Sequence, residues 1–308
     1  SVSNTLTLKD LSNYKAEWKE PLSIDIFGYK AWTSQPPTQG YLTLTTLKAY
    51  EMMESGEFNL HQLIEMYRIF ASDRDSILYD YKDKLDDFIG TDLGYIEEKI
   101  KLFNPKKSEL YNSPKPHGGG TAYMNTVDKN GLGVSLIQSN FHGIGSRIGV
   151  GNYGFFLHNR GCGFNLDSQH PNFLKAGNKP LHTLSPTLWS KNDNLEFIIG
   201  TRGGRYQPQL LVQVILPYLL DIDSFESIIK NPRWVIDYFD SNKSSSIKFE
   251  KINKKDLEYL KKKNHEVINE NEYKNAYGPI SVIYKNNKNY FQGVADIRVG
   301  TEKVFSSL

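Results

Sequence analysis

The stretch His117 to Asn140, HGGGTAYMNTVDKNGLGVSLIQSN, constrains the fold more than any other part of the chain. Two apolar-rich runs, AYMNTV and GVSLIQS, flank Asp128-Lys129-Asn130-Gly131, and an Asn-Gly pair between such runs predicts a β-hairpin. Three glycines, 118 to 120, precede it and open backbone conformations closed to other residues. Thr121 therefore stands at the head of a strand, after a flexible run that gives a hydroxyl access to a neighbouring carbonyl. If the Gly120–Thr121 bond breaks, the freed α-amine lies beside the Thr121 hydroxyl and can act as its base, one of the known ways to activate a nucleophile.

The rest of the chain divides around that point. LKDLSNY predicts a helix with Thr7 as N-cap and Asp10 as capping-box partner. GYKAWTS reads as a strand and QPPTQG as a turn. From Tyr41 to Phe103 the apolar spacing is helical, as in FNLHQLIEMYRIFA. NPKKSELYNSPKPHGGG is a polar linker that ends at the proposed scissile bond. Beyond it MNTV, GVSLIQS, YGFFLHN and LEFIIG read as strands. LLVQVILPYLL and SFESIIKN read as helices, and KINKKDLEYLKKKNHEVI as a lysine-rich helix with Leu257 and Leu260 inward and its charge solvated. PISVIYKNN and NYFQGVADIR suggest a terminal hairpin across Asn286-Asn287. This order implies two sheet layers covered by helices.

Charge and motif searches exclude several functions. With 37 basic and 35 acidic residues the formal net charge is +2, so no electrostatic footprint for nucleic acid or an acidic membrane is present. No apolar run approaches the roughly 18 residues of a membrane span, since LLVQVILPYLL is short and holds Gln213 and Pro217. The single cysteine, Cys162, rules out an internal disulfide and reads as a small buried side chain. HGGG lacks the GxSxG partner of a lipase. The GxGxxG spelling at Gly149–Gly154 leads into FFLHN, a strand-like run, which argues against a dinucleotide site. The histidines show no HExxH or Cys/His pairing, so neither metal nor cofactor is called for.

Five ordered blocks carry a resemblance to the γ-glutamyltransferase (γ-glutamyl transpeptidase) family, in a divergent γ-glutamyltransferase-like branch marked by NRGxGF and HTLSP. They are TAYMNTVDKNGLGVSLIQSN, GFFLHNRGCGFNLDSQHPN, KPLHTLSPTL, GTRGGRYQPQLLVQVI and GVADIR, and LTLKDLSNYKAEWKEPLSIDIFGYKAWTSQPPTQG resembles the later part of that family's large subunit. The resemblance implies the four-layer αββα sandwich of N-terminal-nucleophile hydrolases, an α/β (α+β) fold. It also implies a precursor of which 1–120 is the end of the large subunit and 121–308 the small subunit, in one structural domain. A long upstream part would be missing, including the family's main carboxylate-binding arginine, and a secretion signal would be invisible in a chain that opens at Ser1.

The same resemblance assigns the site. Thr121 would first attack the Gly120 carbonyl and later the substrate amide, with the acyl group passing to water or to an amino acid or peptide. The implied donor is a γ-glutamyl compound such as glutathione. Ser139 takes the place of a second hydroxyl that orients the nucleophile, and Asn140 that of a substrate-contacting asparagine, though a strand-end turn residue is an equal reading. Gly203 and Gly204 match the pair whose amides form an oxyanion hole, or else make a plain strand-to-helix turn. His182 and Thr183 stand where two serines bind the substrate carboxylate, His182 donating a hydrogen bond or carrying charge. Arg160 holds a polar position, whereas Gly163 replaces the aspartate that holds the substrate ammonium. That loss points to an acyl group without an amine, such as a glutaryl monoamide held by Arg160. Gly120 stands where relatives of the branch often have aspartate. A nonprocessed, noncatalytic relative is the alternative.

Overall fold

In the segment before Thr121, three helices begin at a side-chain cap. The computed structural model describes residues 7–54, 56–82, 84–109, 111, 120–236, 246–300 and 303–306. The first helix, α1 (Leu8–Asn13), starts in the expected capping box. The Thr7 hydroxyl accepts from Asp10 N–H at 3.2 Å, and the Asp10 carboxylate accepts from Thr7 N–H at 2.8 Å. Strands β1 (Leu22–Ile26) and β2 (Tyr29–Thr33) form a hairpin about Phe27 and Gly28, both at positive φ; the sequence reading contained only the second strand. The long helical stretch resolves into α2 (Tyr41–Met52), α3 (Leu60–Ser72), the single turn α4 (Arg74–Ile77) and α5 (Leu93–Ile100). Nine of the twelve α2 residues are buried, which makes it the central helix. Side chains of Asn59 and Asp92 cap α3 and α5.

After Thr121, β3 (Gly120–Val127) and β4 (Gly133–Phe141) form the expected hairpin. Asp128 Oδ1 accepts from the N–H groups of Asn130 and Leu132, both at 2.8 Å, and Gly131 takes φ +85°. Strands β5 (Thr187–Lys191) and β6 (Asn194–Thr201) lead through a short 3-10 turn into α6 (Gln207–Leu219), followed by α7 (Phe225–Ile228). Next come β7 (Trp234–Ile236), β8 (Ile247–Glu250), α8 (Lys254–Lys262), β9 (Val267–Glu270), β10 (Ile280–Lys285) and β11 (Phe291–Val294).

Two sequence readings fail here. YGFFLHN is a loop with one isolated bridge, Gly149 to Phe156. Its rings stay exposed, so alternation finds no face to bury. HEVI does not continue α8, because Asn264 at φ +61° breaks the helix and Val267 enters a strand. In α8, Leu260 is fully buried and Leu257 partly so, with its lysines mostly outward as expected.

The main sheet runs β1-β2-β5-β6-β10-β11, antiparallel throughout. Helices α2 and α6 cover one face of it, with α3 and α5 packed on α2, in a continuous core. The β3–β4 hairpin packs on the other face, where an added Cβ at Gly200 would meet the Tyr123 ring at 2.2 Å. Asn125 Nδ2 also donates to the Ser281 carbonyl of β10 at 3.2 Å. This double covering explains why β6 is buried along its whole second half rather than alternating. The hairpin's outer face carries exposed Met124, Val134 and Leu136. The described residues thus supply helix layer, sheet and hairpin, with β7-β8-β9 as a small separate sheet. Among them no helix is long and apolar enough to cross a membrane.

Candidate active site

Thr121 faces Ser139 across the hairpin, and the pairing slips between Gly120 and Thr121 so that Gly120 sits opposite Phe141. The extra residue is Asn140, so the bulge bends β4 opposite the Gly120–Thr121 bond. It leaves Phe141 at φ +78°, a left-handed conformation rarely adopted by a bulky residue. The Ser139 hydroxyl donates to the Gly120 carbonyl at 2.8 Å and accepts from Phe141 N–H at 2.9 Å. A short relay therefore ends on the carbonyl that precedes Thr121. The Thr121 hydroxyl is buried and has no hydrogen-bond partner among the described residues.

These groups line a cavity of about 580 Å³, together with Asn140, Arg202 and Gly203. Gly203 (φ +122°) and Gly204 (φ +57°) occupy conformations that favour glycine, and they lead through the 3-10 turn into α6. Gly203 lines the cavity and Gly204 is buried behind it. The glycine run at 118 and 119 lies outside the described residues. A side chain at Gly120 would place its Cβ 2.7 Å from the Gly143 carbonyl, so the close approach of that loop calls for glycine.

Arg160, set against the acyl carboxylate in the glutaryl reading, is not among the residues that line this cavity, and its Nη1 is buried without a hydrogen-bond partner among the described residues. It is 6% exposed, its guanidinium stacks on the Phe141 ring at 5.1 Å, and Nη2 lies 3.5 Å from the Ser139 carbonyl. Burial pushes it down to about 10. It backs the strand that presents Ser139. His182 is pushed down to about 3, first by burial and then by Arg160, Arg74 and His158. It is neutral at pH 7, which removes the charged role considered for it. Cys162 is exposed, contrary to expectation, because it stands on the surface turn Arg160–Gly163, where its thiol donates to the Asn159 carbonyl at 2.9 Å.

Gly163 and Thr183 line a second cavity, of about 470 Å³, rather than the one beside Thr121. A Cβ at Gly163 would lie 2.5 Å from the Leu181 carbonyl, so no aspartate fits there without a backbone shift. Sequence reasoning missed Gln39, treated only as part of a turn. Its fully buried amide donates to the carbonyls of Gly204 (2.9 Å) and Thr183 (3.3 Å) and accepts from Arg74 Nε at 2.9 Å. Gln39 thus ties the glycine turn to the second cavity. Its signal was a polar residue held between Pro37 and an apolar helix start.

A third group of chemically active side chains lies away from both cavities. His61, Glu65 and His265 are buried together, close enough to suggest metal ligands. However, Glu65 is committed to Arg68 (3.0 Å), Ser108 (3.0 Å) and the Glu109 N–H (3.1 Å). His61 Nδ1 and His265 Nε2 are 2.7 Å apart, a hydrogen bond and closer than two nitrogens sharing a tetrahedral zinc at about 2.0 Å each would stand. The guanidinium of Arg68 adds a positive charge beside the set, so the donors suit a hydrogen-bonded chain.

A helix-covered antiparallel sheet, a hairpin on its far face and a threonine at the hairpin's head define the sandwich of the N-terminal-nucleophile hydrolases. The chain belongs to the gamma-glutamyltranspeptidase family, which matches residues 3–305. It is 31% identical to the glutathione hydrolase-like YwrD proenzyme of Bacillus subtilis, over 95% of this chain and 57% of that protein. It is 28% identical to the oxamate amidohydrolase proenzyme of Klebsiella pneumoniae, over 95% and 56%. The cephalosporin acylase from Bacillus halodurans superposes with a TM-score of 0.83 at 26% identity, covering 98% of this chain and 56% of that one. The chain thus spans little more than half the length of these relatives.

Proposed function

We propose that this chain belongs to a self-cleaving amide hydrolase or acyltransferase whose nucleophile is Thr121. The observation that carries the reading is the Ser139 hydroxyl on the Gly120 carbonyl, next to a Thr121 hydroxyl with no partner among the described residues. That hydrogen bond polarises the carbonyl for attack. Thr121 Oγ adds to the Gly120 carbon, its proton passes to the Thr121 nitrogen and the C–N bond breaks, leaving an ester on Oγ and a free Thr121 amine. Water then opens the ester to a Gly120 carboxylate. In the cut protein the amine takes the hydroxyl proton as Oγ attacks a substrate amide. Backbone N–H groups at Gly203 and Gly204 are the candidate donors to the resulting oxyanion. The leaving amine takes up a proton, and water or an amino compound accepts the acyl group. Two relatives that carry the word proenzyme in their names support the processing step.

For the substrate, Gly163 leaves no room for a carboxylate of its own and the Asp75 carboxylate of the same cavity is held by Arg74, which favours an acyl group without an ammonium, because a buried cation needs an anionic partner. A γ-glutamyl donor such as glutathione is the second reading, supported by the glutathione hydrolase name of the Bacillus subtilis relative. Intact mass and N-terminal sequencing of the full-length protein, wild type and Thr121→Ala, test the proposal. A fragment opening TAYMN in the wild type alone is expected; an uncut wild type under all conditions would refute it.

A further inference from the structure

We propose that the second cavity is a carboxylate-binding site formed by Arg74 and Arg205, and that it takes the free carboxylate of a short dicarboxylic acid monoamide. The inference builds on the reading of Thr121 as nucleophile. It supplies the acyl group's class.

Arg74, on α4, is 2% exposed. Its Nε donates to Gln39 and its Nη1 to Asp75 at 2.5 Å, whereas Nη2 is buried with no partner among the described residues. Arg205, directly after the glycine pair, has neither Nε nor Nη1 hydrogen-bonded. Asp75 Oδ2 lies 3.8 Å from its Nη1, beyond hydrogen-bond range. Two guanidinium groups thus share one carboxylate, and that carboxylate is 45% exposed. Burial and the neighbouring Arg74 both push Arg205 down, to about 10. Buried donors left unmatched are costly, and uncompensated buried charge more so. An anion in this cavity would meet N–H groups of both arginines.

The walls narrow the choice of anion. Phe141, Phe164 and Leu181 suit a short methylene chain, and the forks of guanidinium groups match a planar carboxylate. With Asp75 present the surplus is one positive charge, which one carboxylate balances. The chain path joins this cavity to the reacting bond: Phe141 follows Ser139 and Asn140, and Arg205 follows Gly203 and Gly204. The proposal has an acyl group extended from Thr121 along these adjoining residues end at the arginines.

Three small amides separate the possibilities, each titrated calorimetrically into the full-length Thr121→Ala protein, which cannot turn them over. Glutaramate carries the carboxylate, glutaramide lacks it, and L-glutamine adds an α-ammonium to glutaramate. We expect glutaramate to bind at least tenfold tighter than both others, and Arg205→Gln to remove that preference without lowering the melting temperature, since the side chain's Nε and Nη1 have no hydrogen-bond partners to lose. Arg205→Lys should retain part of it. Equal binding of glutaramide and glutaramate, full displacement by equimolar phosphate, or an Arg205→Gln variant with unchanged affinities would overturn the carboxylate site. L-glutamine binding as tightly as glutaramate would overturn the exclusion of the ammonium. Binding is read without cleavage, so a failure of self-processing leaves this result interpretable. A cut wild type that ignores glutaramate would sink the inference alone.

Discussion

At the scale of single residues, Ser139 and Gly163 carry the sharpest consequences. Ser139→Ala removes the side-chain donor that the described residues place on the Gly120 carbonyl. Loss of one such donor costs roughly 10² to 10³ in rate in enzymes that stabilise an oxyanion. We expect self-cleavage to slow by about two orders of magnitude, followed by mass spectrometry over time, while Ser139→Thr, which restores the hydroxyl, stays within about tenfold of wild type. Gly163→Asp should not create γ-glutamyl activity. Its Cβ would collide with the Leu181 carbonyl at 2.5 Å, and we expect a destabilisation of about 1–3 kcal/mol in denaturant unfolding. A stable Gly163→Asp protein with raised γ-glutamyl hydrolysis would show that the turn yields. The hairpin itself was legible from its two apolar-rich runs and the Asn-Gly turn, whereas Ser139 as the partner of Thr121 came only from the family resemblance, because a one-residue change of register would have put Asn140 there instead. The true surroundings of Arg160 were not. Its burial depends on Phe141 turning into the left-handed region, which no local pattern announces.

At the scale of elements, a buried hydrogen-bond chain joins segments far apart in sequence. His61 on α3 donates from Nε2 to the Asn104 carbonyl at 2.9 Å, which leaves Nδ1 to accept from His265 Nε2 at 2.7 Å. His265 Nδ1 then faces Arg68 Nη1 at 3.4 Å. Ser108 N–H donates to the Lys263 carbonyl at 2.7 Å, so the segment leading towards Gly120 is pinned to the end of α8. Both histidines must be neutral in this arrangement, and burial together with Arg68 and His61 pushes His265 down to about 2. The unfolded chain takes up these protons first, near pH 6.5. Stability is therefore full above about pH 6.5 and falls as pH drops below it, by up to about 1.4 kcal/mol per pH unit for each histidine. We expect the melting temperature to fall between pH 6.5 and 4, and His265→Gln to flatten that fall; a wild-type profile as flat as the variant's would contradict the account. Sequence reading extended α8 into this region because lysine-rich periodicity continued. Only Asn264 in the left-handed conformation ends the helix and aims His265 inward.

At the scale of the whole molecule, the GVADIR block fastens the last segment onto the main and small sheets. Asp296 pairs with Arg233 at 2.5 Å and with Arg298 at 3.2 Å, and it accepts from Ile280 N–H at the start of β10 at 2.8 Å. Arg298 also pairs with Glu250 on β8. Every member is buried. Asp296→Asn would leave two buried guanidinium groups against one carboxylate, and breaking such a network costs about 3–5 kcal/mol. We expect that loss in equilibrium denaturation, with the urea midpoint lowered and its slope unchanged; a variant within about 1 kcal/mol of wild type would show that the network is dispensable. By itself the sequence determined the hairpin, its nucleophile candidate, most helices and the family, because these rest on local periodicity, turn chemistry and ordered motifs. Tertiary structure alone decided which residues share a cavity. Gln39, Arg74 and Arg205 meet through antiparallel strand pairing and helix packing across more than a hundred residues, where burial leaves donors unmatched, and no spacing along the chain encodes that.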